Sequence, residues 1–223
     1  MKQHRSWYLP DYETHFVEWM INNNEHTYQR QQREHALKHV KKFRTAIDVG
    51  GNIGFWSKDF CQKFENVIIF EPNISNIECL KKNLEMFTNY KIYTHGLGNM
   101  NGKKTFYNSL NTSGGHSLHR DEIRDDKIIE TIIDIKKLDD YNLINVDLIK
   151  IDTQGSELDV LKGATQTIMK NNCVINLEMS NKTNNQIIKN KKIVELLDEL
   201  DYVEIGGYSR TKKDKVFIKK GNK

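Results

Sequence analysis

The run Asp48-Val49-Gly50-Gly51-Asn52-Ile53-Gly54 places an acidic residue near the end of a short apolar stretch, then a glycine turn, then a helical pattern. Open α/β sheets hold nucleotide-like cofactors with that order of features, at the tips of their strands. Glycine lets backbone approach a ligand closely, and a helix start offers free N–H groups to an anionic end. The spacing is not that of a dinucleotide site, because Val49 stands where G-x-G-x-x-G needs its first glycine. What remains is D-x-G-x-x-x-G. A carboxylate at Asp48 beside the turn suits a cationic cofactor with a free amino group better than a diphosphate. S-adenosyl-L-methionine (SAM) has that chemistry.

Two further strand ends carry acids. The apolar run Val67-Ile68-Ile69-Phe70 closes in Glu71-Pro72-Asn73, about 20 residues after the turn, where a carboxylate can hydrogen-bond both hydroxyls of a ribose. Pro72 cannot extend the ladder, and Asn73 either touches the adenine or begins the next turn. The run Ile149-Lys150-Ile151-Asp152-Thr153-Gln154-Gly155-Ser156-Glu157-Leu158 ends another apolar strand in Asp152, and Gly155 with Ser156 opens a helix. Asp152 is therefore expected opposite the sulfonium and next to the incoming acceptor. Glu157 reads as a first-turn acid favoured by the helix dipole. The sequence lacks the Asn-Pro-Pro-Tyr pattern of enzymes that methylate the exocyclic amines of bases.

Methyl transfer to an aliphatic hydroxyl gains from a positioned base by about 10²–10⁴-fold. Candidates are Asp152, His116 in a glycine-bracketed loop, and His95 at a strand end; an unperturbed imidazole with pKa ~6.5 suits proton removal. His95 and Glu178 complete the acids and bases expected at strand tips. The histidine pairs His35/His39 and His116/His119 lack a third ligand, so no metal is expected.

The elements that position these residues alternate. Apolar runs predict strands at 45–50, 67–71, 91–95, 146–152, 173–179, 202–206 and 215–219, with helices at 54–64, 75–87, 156–169 and 185–200. Such alternation argues for a mostly parallel sheet covered on both faces. Residues 96–145 form an excursion, with a hairpin expected at Lys103 to Tyr107, a polar Ser113-Gly114-Gly115-His116-Ser117 loop and a β-like run at Ile128 to Ile135. Residues 1–43 read as two helices, the first with Tyr12, Phe16, Val17, Met20 and Ile21 on one face, and are expected to pack on the sheet edge. Gly206 to Thr211 suit a hairpin link to an antiparallel last strand. The whole reads as one domain, 1–223.

Composition bounds the function. With 223 residues, 37% hydrophobic and 29% charged, the chain can bury a sizeable core, and the absence of a ~20-residue apolar run argues against a membrane span. No apolar signal core follows Met1, so a cytoplasmic location is expected. Cys61, Cys79 and Cys173 read as reduced, buried hydrophobes. A net charge of +4 without a basic face interleaved with aromatics makes a nucleic-acid partner unexpected.

Four ordered motifs together resemble the FkbM methyltransferase family: Ala46 to Gly54, Phe70 to Asn73, Lys150 to Glu157, and Leu161-Lys162-Gly163-Ala164. Leu177-Glu178 and Asp214 to Ile218 extend the resemblance over roughly residues 44–219. Gly51 stands where alanine is usual, and Gln154 where glutamate is common. The resemblance implies an α/β class I methyltransferase Rossmann-like fold with a seven-stranded, mostly parallel sheet and an antiparallel last strand, and N-terminal helices precede it here. It also implies SAM as donor and O-methylation of a hydroxyl on a sugar, glycan or other small natural product. It assigns Asp48, Gly50, Asn52 and Gly54, with Gly51 between them, to the methionine end of SAM. Glu71 falls to the ribose and Asp152 to the reacting groups. The rivals are a ribose 2′-O-methyltransferase of RNA, for which no lysine is marked out on the strands, and a non-catalytic SAM-binding module.

Overall fold

A computed structural model describes residues 1–123, 125–181, 183–206 and 213–221. The expected alternation is present. Its parallel strands are β3 (Thr45–Val49), β4 (Asn66–Phe70), β5 (Tyr90–Tyr93), β9 (Val146–Ile151) and β10 (Val174–Glu178), numbered along the chain. β11 (Tyr202–Ile205) and β12 (Asp214–Lys219) complete a seven-stranded sheet of order β11-β12-β10-β9-β3-β4-β5. The last strand lies between β10 and β11 and runs antiparallel to both, as expected. Of the turn-rich link expected before it, Gly206 to Thr211, all but Gly206 lies outside the described residues. Every residue of β3 is buried, and β9 is nearly as enclosed, which is why both read as continuous apolar runs rather than alternating ones.

Helices cover the sheet where the spacing puts them: α3 (Phe55–Lys63), α4 (Ile74–Asn83) and α7 (Asn184–Glu199). Thr183 caps α7 through a reciprocal pairing with Gln186, and Asn73 caps α4 by accepting from the Asn76 N–H at 2.9 Å. The single helix expected over 156–169 is instead two, α5 (Glu157–Lys162) and α6 (Thr165–Asn171). The break is steric and electrostatic in origin. A Cβ on Gly163 would lie 2.0 Å from the Gly98 carbonyl oxygen, and Asp139 restarts the chain by accepting from the Thr167 N–H at 2.8 Å.

Two sequence expectations are corrected. The first residues are not all helical: β1 (Lys2–His4) and β2 (Trp7–Leu9) pair antiparallel before α1 (His15–Asn22) and α2 (Arg30–Leu37). Trp7 and Leu9 then enter the same core as Phe16, Phe55 and Leu80. Second, Lys103 to Tyr107 form no hairpin of their own. They belong to β7 (Gly102–Ser109), which pairs antiparallel with β8 (Ile128–Lys136) along its whole length, from Gly102↔Ile135 to Ser109↔Ile128. β6 (Gly96–Leu97) pairs with the other side of β8. The chain between β7 and β8 contains the 113–117 loop, and this sheet delivers it to the strand tips.

Candidate active site

A crevice of about 560 Å³ opens at the carboxyl ends of β3, β4, β9 and β10, within the ~300–1,000 Å³ usual for small-ligand sites. Its position is the switch point, where chain order runs from β3 outward to β4 on one side and to β9 on the other. Gly50 sits there at φ +77°, and a Cβ on it would lie 1.9 Å from the Asp152 carbonyl oxygen. Only glycine permits that approach. The two loops that carry the first and third motifs are thereby in contact.

Of the residues expected in the site, Gly50, Gly51, Asn52, Glu71, Pro72, His116 and Asp152 line the crevice. Glu71 bridges the motifs: its Oε2 accepts from the Asn52 N–H at 2.7 Å and its Oε1 from the Asn73 N–H at 2.9 Å. Burial pushes this carboxyl up to about 7, opposed by those two N–H donors.

Three of the expected site residues lie off the crevice lining. Asp48 is fully buried beneath the turn, off the crevice wall, where its Oδ2 accepts from the Ser57 hydroxyl at 2.6 Å. Its Oδ1 lies 3.0 Å from Lys150 Nζ, an ion pair without hydrogen-bond alignment. The register Asp48↔Lys150 sets the two side by side. These two partners, Ser57 and Lys150, hold Asp48 beneath the glycine turn. Gly54 starts α3 at φ +98° and packs against Leu80, while Asn73 spends its side chain on the α4 cap and on Asn108. Both lie away from the crevice lining because helix packing already occupies them.

Both candidate histidines have their ring nitrogens engaged by partners. The Ser109 N–H donates to His116 Nδ1 at 3.0 Å, so the neutral ring carries its proton on Nε2, 3.4 Å from the Tyr12 hydroxyl. Burial lowers this imidazole to about 4. His116 therefore presents a donor to its surroundings. His95 donates from Nδ1 to the Gly96 carbonyl at 3.0 Å and accepts at Nε2 from the Tyr141 hydroxyl at 2.6 Å, packed against Phe70 and away from the crevice.

Asp152 lines the crevice at the end of β9. Gln154, in the left-handed region at φ 52°, turns its amide back so that Nε2 donates to Asp152 Oδ1 and to Glu178 Oε2, both at 2.8 Å. Glu157 lines the crevice with its partners already in place: its oxygens accept from the backbone N–H groups of Thr153 and Gly155.

Sequence reasoning passed over several contributors. Lys150, 4% exposed, donates to the Gly50 carbonyl at 2.6 Å and so ties the glycine turn to β9. A charge set between the apolar Ile149 and Ile151 was the available signal, since it demands a buried partner. The N-terminal segment, expected to pack on the sheet edge in preference to closing over the cofactor as a cap, reaches the crevice with Phe16, Tyr28 and Gln29. Glu13 is fully buried and fastens that segment to the 112–115 loop, accepting from the Phe16 N–H at 2.8 Å and the Ser113 N–H at 2.5 Å. No local pattern announced that contact, which spans about a hundred residues.

A family model described as the methyltransferase FkbM domain matches residues 48–204. Methyltransferase 1 of Beauveria bassiana (strain ARSEF 2860) is 28% identical over 141 residues, covering 52% of this chain and 57% of that protein. The hexuronic acid methyltransferase AglP of Haloferax volcanii is 30% identical over 129 residues, covering 57% of this chain and 53% of that protein. The matches span little more than half the length of these curated relatives. Among solved structures, the methyltransferase FkbM from Methylobacillus flagellatus KT has a TM-score of 0.54 at 20% identity, covering 78% of this chain and 43% of that one. A putative rRNA-methylase from Clostridium thermocellum has a TM-score of 0.53 at 10% identity, covering 86% and 97%. At such identities the likeness is one of fold, and the fold is that of class I methyltransferases.

Proposed function

The chain belongs to the FkbM methyltransferase family, and on that premise we propose that its crevice binds SAM and methylates a hydroxyl group of a sugar. One observation carries the reading: a buried carboxylate, Glu71, and the turn Gly50-Gly51-Asn52, with positive φ at Gly50 and Asn52, meet at the switch point of the sheet and line one cavity. The fit to SAM follows from that donor set. Glu71 offers acceptor oxygens for ribose hydroxyls, and the acidic wall formed with Asp152 and Glu178 favours a cation. When bound, SAM supplies an activated methyl group, and the chain's own work is alignment and exclusion of water. Gly50, Gly51 and Asn52 would flank the methionine end, Glu71 the ribose, and Asp152 the acceptor hydroxyl.

A sugar hydroxyl is favoured by the similarity to a hexuronic acid methyltransferase. Phe16, Tyr28 and the Glu13-fastened loop close the crevice, which shields the reacting groups from water. Incubation with methyl-labelled SAM and a panel of methyl hexosides, methyl hexuronides, nucleotide sugars and RNA tests the reading. Label in an ether-linked methyl of a sugar is the expected result. Label in RNA ribose alone, or in none of the panel while SAM binds, contradicts it.

A further inference from the structure

Resting on the methyl-transfer reading, we propose that Glu178 is a catalytic residue that shares one proton with Asp152 and, with it, receives the hydroxyl proton of the acceptor. Glu178 ends β10 next to β9, whose Ile151 pairs with Leu177, so the residues that follow on the two strands emerge side by side. Both carboxyl groups line the crevice. A single nitrogen, Gln154 Nε2, donates to one oxygen of each at 2.8 Å. Two donor hydrogens on one nitrogen hold the carboxyls within reach of each other. Ionised carboxylates that close repel strongly, and the pair relieves the repulsion by keeping one proton between them.

The surroundings reinforce this. Burial, then the charge of Asp152 and a hydrogen bond with it, then the charge of Glu157, hold the Glu178 carboxyl well above the usual range, while Lys213 acts in the opposite direction. The nearby cations are weak or committed: Lys213 Nζ stays 3.9 Å from Glu178 Oε1, and Lys150 is engaged with Asp48 and the Gly50 carbonyl. From the N-terminal segment, Tyr28 faces the pair, its phenol raised by burial and by the charges of Asp152, Glu178 and Asp214. The pair is therefore a carboxylic acid next to a carboxylate, lining the crevice.

In the transfer step the acceptor oxygen forms its bond to the methyl carbon as the carbon–sulfur bond breaks, and that bond's electrons stay on sulfur. The O–H bond breaks, and its proton passes to the ionised member of the pair. Both carboxyls are then neutral until one proton is lost to water. Gln154 is a positioning residue here, because it reaches the reaction only through the two carboxyls.

Two measurements test the proposal. In protein carrying ¹³C-labelled Asp and Glu side-chain carboxyls, NMR titration should find one resonance, removed by Glu178→Gln, with a midpoint well above the ~4.3 of an ordinary glutamate. Asp152→Asn should lower that midpoint. With labelled SAM and methyl glucoside or methyl glucuronide as acceptors, Glu178→Gln should reduce kcat by about 10²–10⁴-fold and remove the acidic limb of the pH profile. SAM affinity by calorimetry should stay within about threefold of wild type. A Glu178 carboxyl that titrates in the ordinary range overturns the proposal whatever SAM does. So does a Glu178→Gln enzyme with wild-type kcat and pH profile. Failure of the wild type to bind SAM overturns the parent reading instead, and the titration still decides the carboxyl pair.

Discussion

Lys150 and Asp48 neutralise each other across β3 and β9 in a space where neither meets water, 4% and 0% exposed at their side chains. Their pairing holds Asp48 beneath the turn and off the crevice lining, which Glu71, Asp152 and Glu178 join. Removing one partner of such a pair strands the other charge. Lys150→Met should destabilise the fold by about 3–5 kcal/mol, read as a lowered midpoint in urea unfolding. The paired change Asp48→Asn/Lys150→Met should recover much of that loss. A Lys150→Met single variant as stable as wild type would show that Asp48 is not held by this lysine. The same residue scale explains His116. A backbone N–H already occupies its accepting nitrogen, and no feature of Ser113 to Ser117 in sequence could reveal which nitrogen the ring would present.

At the scale of elements, the break between α5 and α6 shows tertiary packing overriding local pattern. The spacing of Leu158, Leu161 and Ile168 suits one helix, yet the Gly98 backbone passes so close to Gly163 that the helix is interrupted there. Gly163→Val has no room without moving backbone, and it should cost at least about 1–3 kcal/mol in thermal or urea unfolding. An unchanged Tm would mean that the two segments can separate freely. β7 and β8 make the complementary point. Each was legible as extended chain, but their partnership across the 110–127 connection was not, because periodicity reports which face is buried and not which strand lies opposite. The N-terminal clasp was hidden for the same reason: Glu13 meets Ser113 only after both have been carried to the strand tips.

For the whole molecule, what could be read in advance was whatever the sheet dictates locally. The strands, three of the four covering helices and the acidic residues at strand tips follow from apolar runs broken by Gly, Pro and Asp or Glu. Residues whose role depends on register, such as Lys150 beside Asp48, or on a turn in the left-handed region, such as Gln154, follow from three-dimensional neighbours. The buried Glu71 also gives the molecule a pH dependence. Its folded carboxyl, at about 7, holds a proton that the unfolded chain, near 4.5, releases. Between those values the folded state binds more protons, so this group's contribution makes stability fall as pH rises from about 4.5 to 7. Ligand binding should run the other way, since the ionised carboxylate is the better acceptor for ribose hydroxyls. Denaturation midpoints of wild type and Glu71→Gln across that window check the sign. If Glu71 titrates as stated, the variant flattens the curve.

Titration calorimetry of SAM into the wild type and into Glu71→Ala, at a pH above 7, tests the central claim most directly. The account predicts saturable one-to-one binding by the wild type, weakened at least about tenfold by loss of the carboxylate, equivalent to about 1.4 kcal/mol. Absence of binding by the wild type, or equal affinity in the two proteins, would contradict a SAM site built around Glu71 at the switch point of this sheet.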